Sequence, residues 1–160
     1  MGSSLPAVEN GTNNFTVSIW YQRSTIQAGL SELLSSWPGT NMFSSFFFGF
    51  NGATTIRVSD GYSTTVNGVN TTNTWQNLTL VNDATNNNAY IYLNGSLVVT
   101  KGSKLSSIVN SQNTFYIGRQ GNAGEVLNGK IAVVLGYNSV LSQSDIQSNI
   151  TAFNSYGFGI

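Results

Sequence analysis

The sequence predicts an all-β, antiparallel fold of the sandwich or barrel type. Short apolar segments alternate with polar residues along the chain. Clusters of Gly, Asn, Asp and Ser separate them at intervals of about 8–15 residues, the spacing expected of strands joined by tight turns. Helical periodicity is almost absent. With 160 residues, 40% of them hydrophobic, the chain can bury a single substantial core.

In chain order, Phe15–Tyr21 alternates with Phe15, Val17, Ile19 and Tyr21 on one face. The segment from 24 to 36 is ambiguous, with Leu33 and Leu34 assigned to a strand that ends before Trp37-Pro38-Gly39. The unbroken apolar run Phe46-Phe47-Phe48-Gly49-Phe50 fits a strand buried on both faces. Asn51-Gly52 and Asp60-Gly61 are turn signals on either side of a strand at 54–59. Trp75–Val81 alternates around Leu78 and Leu80. Ala89–Leu93 and Leu97–Thr100 flank Asn94-Gly95, the strongest short hairpin signal in the chain and an expected type I′ turn. Thr114–Gly118 and Gly129–Tyr137 complete the strands. In the last, Ile131, Val133, Leu135 and Tyr137 are expected on one face, with Ala132 and Val134 on the other. A short helix is expected over about 142–150, where Ser142 and Asp145 have the spacing of a capping box.

Several functions are excluded or disfavoured by composition. Charged residues are 8% of the chain, against about 25% in an average domain. Asn, Ser and Thr number 21, 21 and 16, so the surface is one of amides and hydroxyls. Net charge is zero with no basic run, which removes the electrostatic footprint of nucleic-acid binding. The chain contains neither Cys nor His, so disulfides, thiolate metal sites and histidine-based triads are out. No apolar stretch of about 18 residues is present for membrane insertion, and no signal peptide is visible at the N-terminus.

Six segments, in order, resemble the laminin-G-like branch of the concanavalin A-like lectin/glucanase superfamily: FTVSIWYQ at 15–22, WQNLTLVND at 75–83, YIYLNGSLV at 90–98, FYIGR at 115–119, LNGKIAVVLGYNSVLSQSDI at 127–146 and FNSYG at 153–157. The resemblance implies a jelly-roll β-sandwich of two curved sheets, divided here into an N-terminal segment, 1–14, and a single domain, 15–160. It also implies carbohydrate binding, adhesion or packing. Two positions depart from the family pattern. Ala132 stands where an acidic residue usually follows the Ile of the GKI-like strand. Only about fourteen residues precede Phe15, where the family places a further strand, so the N-terminal segment is expected to contact a neighbouring chain.

The superfamily's glycosidases use paired carboxylates. The six acids here, Glu9, Glu32, Asp60, Asp83, Glu125 and Asp145, show no such pairing along one strand, and the expectation is a non-catalytic protein. Related lectins hold Ca²⁺ with Asp and carbonyl oxygens. Asp60 and Asp83, in turns, are the calcium candidates, although the turn chemistry of each residue accounts for its presence, and no cofactor is expected. Aromatic and amide side chains at loops and strand ends suit sugars, which makes Trp37, Asn41, Arg57 and Tyr62 the glycan-binding candidates. Six sequons are explained by the abundance of Asn, Ser and Thr. The leading expectation is a structural or surface module of a virion, with other protein subunits and glycans as partners. The alternative is a carbohydrate-binding module of an extracellular adhesin or enzyme.

Overall fold

The computed structural model describes residues 13–36, 46–59, 62–105, 114–121 and 124–160. Ten strands and one helix follow in chain order: β1 (Phe15–Arg23), β2 (Leu30–Ser35), β3 (Phe47–Asn51), β4 (Thr55–Val58), β5 (Tyr62–Thr65), β6 (Trp75–Asp83), β7 (Asn88–Leu93), β8 (Ser96–Thr100), β9 (Tyr116–Ile117), β10 (Gly129–Tyr137) and α1 (Gln143–Asn154). They form two antiparallel five-stranded sheets. The first runs β10-β1-β6-β7-β8 and the second β5-β4-β3-β2-β9. The architecture is a jelly-roll sandwich. The expected contact with a neighbour, at about residues 3–12 of the N-terminal segment, lies outside the described residues.

The main core lies between the sheets. The first sheet contributes Val17, Ile19, Leu78 and Leu80, and the second Leu34, Phe48, Phe50 and Ile56. A second apolar layer covers the opposite face of the first sheet, where Trp20, Val81 and Tyr92 meet Ile146 and Ile150 of α1. The helix starts as the sequence predicts: the Ser142 hydroxyl accepts from the Asp145 N–H, and the Asp145 carboxylate accepts from the Ser142 N–H. It runs four residues further than expected, because Phe153 stacks on Trp20 with ring centroids 4.7 Å apart.

Asn94 and Gly95 both have positive φ, 51° and 76°, as a type I′ corner requires. This corner abuts α1, whose Gln143 and Gln147 amides both donate to the Gly95 carbonyl, at 3.0 and 3.2 Å. One expected strand face is corrected. Trp20 pairs with Val133 and Tyr21 with Ile131, which leaves Ala132 as the extra residue of a β-bulge. The bulge reverses the alternation: Ile131 and Val134 pack on the inter-sheet core, whereas Val133 and Leu135 pack under the helix.

Candidate functional site

The outer face of the second sheet carries a cluster of charge in a chain that has little. Register places Glu32, Gly49, Arg57 and Ser63 side by side across β2, β3, β4 and β5. A second row joins Tyr116, Ser35 and Phe47 across β9, β2 and β3. A bulge between Glu32 and Leu34 makes this arrangement work. It sends both Leu33 and Leu34 into the core while Glu32 and Ser35 stay on the outer face.

Gly49 is what lets Glu32 and Arg57 meet. A Cβ at this position would lie 2.6 Å from Glu32 Oε2 and would collide with the Ser31 carbonyl. The Glu32 side chain therefore lies across the bare Gly49 backbone, and its Oε1 sits 3.4 Å from Arg57 Nη2. From the far side, Glu125 Oε2 lies 3.4 Å from Arg57 Nη1. The guanidinium stacks on the Phe47 ring, 4.1 Å from its centroid. Glu125 comes from the connection leading to β10 and has φ of 49°, a left-handed backbone that is uncommon for a long side chain. Its carbonyl accepts from the Glu32 N–H at 2.9 Å, so main chain and side chain both tie it to the cluster.

The three side chains are nearly sealed from water: Glu32 is 0% exposed, Arg57 6% and Glu125 13%. Two carboxyls thus share one guanidinium. Glu32 Oε1 and Oε2 and Glu125 Oε2 accept no hydrogen bond from an N–H or hydroxyl donor. Burial pushes the Glu32 carboxyl well above the usual carboxylate range, and a hydrogen bond with the Glu125 carboxyl adds to the rise. The Arg57 charge opposes it, and the Glu125 charge reinforces it. A protonated Glu32 carboxyl has a donor for the facing Glu125 oxygen. Half-buried Tyr116 lies on the same face, with the exposed Arg119 guanidinium 5.6 Å from its ring centroid.

The sequence-based candidates scatter. Arg57 sits at the centre of the cluster. Tyr62 pairs with Val58 and packs on the main core, on the opposite face of the sheet, with the Lys101 ammonium 5.5 Å from its ring centroid. Trp37, Asn41 and Asp60 lie outside the described residues. Asp83 is buried, and its two oxygens accept from the N–H and side-chain amide of Asn86 at 3.0 and 2.8 Å. Both are committed to the turn, and the described residues include no cluster of three or more acids to form a calcium donor set. Sequence reasoning missed Glu32, Glu125, Phe47 and Tyr116. A charge inside each of the segments LSELLS and TIRV, with a Gly breaking FFFGF, was the available signal. In a chain so poor in charge, two ionic residues in buried strands imply each other.

The helix side of the molecule has a concavity of about 440 Å³ lined by Val133, Ala152, Phe153, Tyr156 and Phe158. Its lining contains no charged side chain, and a sugar needs polar groups to orient it.

Solved structures with the same fold include the CBM40 module of the Ruminococcus gnavus IT-sialidase bound to α2,3-sialyllactose. It is 18% identical, with a TM-score of 0.71, over 86% of this chain and 82% of that one. A putative carbohydrate-binding protein from Bacteroides ovatus is 19% identical, with a TM-score of 0.67, over 87% of this chain and 41% of that one. The NanB sialidase of Streptococcus pneumoniae is 15% identical, with a TM-score of 0.70, over 85% of this chain but only 24% of the enzyme. No curated protein matches by sequence. A laminin-G-type family model, described as the concanavalin A-like lectin/glucanases superfamily, matches residues 2–147, and the chain belongs to that superfamily.

Proposed function

We propose that this chain is a non-catalytic carbohydrate-binding module whose site lies on the outer face of the second sheet, around Arg57. The observation that carries the reading is the Glu32–Arg57–Glu125 cluster. It is a buried, oriented set of donors and acceptors on a sheet face, built at the expense of a left-handed Glu125 and a glycine at position 49. Sugar hydroxyls both donate and accept, and a guanidinium flanked by carboxyls offers the matching groups in a fixed geometry. Tyr116 supplies an aromatic face for the apolar side of a sugar ring. Trp37 and Asn41, in the connection between β2 and β3, are retained as proposed contacts, whereas Tyr62 faces the inter-sheet core and is not.

The solved neighbours of this fold support the carbohydrate-binding reading over the virion component that the sequence suggested first, since their names and ligands concern glycans. Their bearing on a virion, or on assembly with other subunits, is nil. An extracellular setting is the natural one for such a module. The carboxyl pair at Arg57 is the feature nearest to a glycosidase. Both groups lean on one guanidinium, each 3.4 Å from it, which speaks against their serving as the separate acid and base or nucleophile of such an enzyme.

A glycan array tests the reading, run with the wild type and with the triple variant Arg57→Met, Glu32→Gln, Glu125→Gln, which removes the cation together with both carboxyls that face it. Binding by the wild type that weakens at least about tenfold in the folded variant, a difference of about 1.4 kcal/mol, supports the site. Absence of any bound glycan, or equal binding by both proteins, overturns it.

A further inference from the structure

We propose that Glu125 is the specificity-determining residue of this site: its carboxyl holds the outward side of Arg57 and selects uncharged, hydroxyl-rich glycans against carboxylate-bearing ones. The inference rests on the glycan-binding reading and deepens it.

Among the described residues, Arg57 is the buried cation on this face, and two carboxyls already occupy its two terminal nitrogens, each at 3.4 Å. Glu32 is wholly buried, and Glu125, at 13%, is the most exposed of the three. A ligand reaching Arg57 therefore meets Glu125 first. Among the described residues, the strands beside the cluster add no charge of their own: β3 presents Phe47 and Gly49, β5 presents Ser63, and β9 presents Tyr116. Arg119 stands exposed beside Tyr116.

A carboxylate entering here adds one negative charge to a site whose single positive charge already faces the Glu125 carboxyl. Repulsion between unscreened like charges at close range disfavours its binding. A neutral sugar meets no such penalty. Its hydroxyls can donate to Glu125 and accept from Arg57. Glu125 thus stands where the carboxylate of an acidic sugar would sit, an internal anion that such a ligand must displace. Its left-handed backbone and the Glu32 N–H bond to its carbonyl hold it there in the free protein.

The test compares wild type with Glu125→Gln, and Glu125→Asp with Glu125→Asn. The second pair matters because Asp and Asn both suit left-handed backbone and differ only in charge. Probes are lactose, 3′-sialyllactose and acetate as a bare carboxylate, with affinities read by NMR and the Arg57 Nε–H followed directly. Glu125→Gln and Glu125→Asn are expected to gain about tenfold in affinity for sialyllactose relative to lactose, and for acetate. The wild type and Glu125→Asp should not gain, because like charge at contact is worth about that factor. A sialyllactose-to-lactose ratio and an acetate affinity that are the same in all four proteins overturn the proposal. If no glycan binds any of them but acetate still distinguishes the two pairs, the role of Glu125 stands and the glycan reading falls.

Discussion

Glu32 reaches Arg57 across Gly49, carboxylate to guanidinium 3.4 Å apart, with the glycine's missing side chain as the channel between them. The three residues stand in one register row on neighbouring strands. Gly49→Ala puts a methyl against the Ser31 carbonyl and the Glu32 side chain, and the backbone contact cannot move aside. The expected cost is about 1–3 kcal/mol of stability, typical of an overpacked interior. Urea unfolding of the variant checks it, and loss of glycan binding should accompany the change. An alanine variant of wild-type stability would show that the strands separate freely here.

The buried Glu32 carboxyl makes stability depend on pH. Its folded pKa lies above the unfolded value, so the folded protein retains a proton that the unfolded chain releases. Its contribution is complete below about pH 4, under the unfolded carboxyl pKa, and declines as pH rises towards the folded pKa, by at most about 1.4 kcal/mol per pH unit. Glu32→Gln carries no titrating group. Measured by denaturation at pH 4, 5.5 and 7, the wild type should lose stability relative to this variant as pH rises. A constant difference would mean that Arg57 fully compensates the charge.

The α1 capping box gives a third expectation. Ser142→Ala removes the acceptor for the Asp145 N–H, and about 1 kcal/mol should be lost. Asp145 is held below the usual carboxylate range by hydrogen bonds from the Ser142 hydroxyl and N–H. Its contribution is therefore present above an unfolded pKa near about 3.9 and lost as pH falls through the lower folded value. Circular dichroism of wild type and Asp145→Asn through acid titration should differ only in that range.

At the hairpin corner, Gly95→Val combines a left-handed backbone, φ 76°, with a Cβ that would lie 2.9 Å from Gln147 Cγ. The backbone term alone costs about 1–2 kcal/mol, and the Gln143 and Gln147 bonds to the Gly95 carbonyl are strained with it. Gly95→Asn, which tolerates left-handed φ, should cost less, and thermal melts of the two variants rank them.

Local chemistry was readable from the sequence, and convergence was not. Asn94-Gly95 announces its turn because only a few residue types accept two positive φ angles. Ser142 and Asp145 announce a helix start because both hydrogen bonds are made within one turn. The buried run Phe46–Phe50 shows itself by having no polar face, though Phe47 proves to serve the outer surface and its neighbours the core. The bulge at Ala132 left no trace, since alternation reads the same until one residue is skipped. Arg57 was readable as a candidate by its place near a strand end. Its partners were not, because Glu32 and Glu125 come from segments far apart in the chain and only strand order brings them to one guanidinium. Trp37 and Asn41 were chosen by residue type and loop position, and Tyr62 likewise, yet strand pairing turns Tyr62 to the opposite face from Arg57.

The most direct measurement is a crystal structure of the protein with the best-binding glycan from an array. The account predicts sugar density on the outer face of the second sheet, with a hydroxyl within hydrogen-bond distance of Arg57 or Glu125 and the ring against Tyr116. Density in the apolar concavity beside α1, or at the loops with the Arg57 face empty, would contradict it.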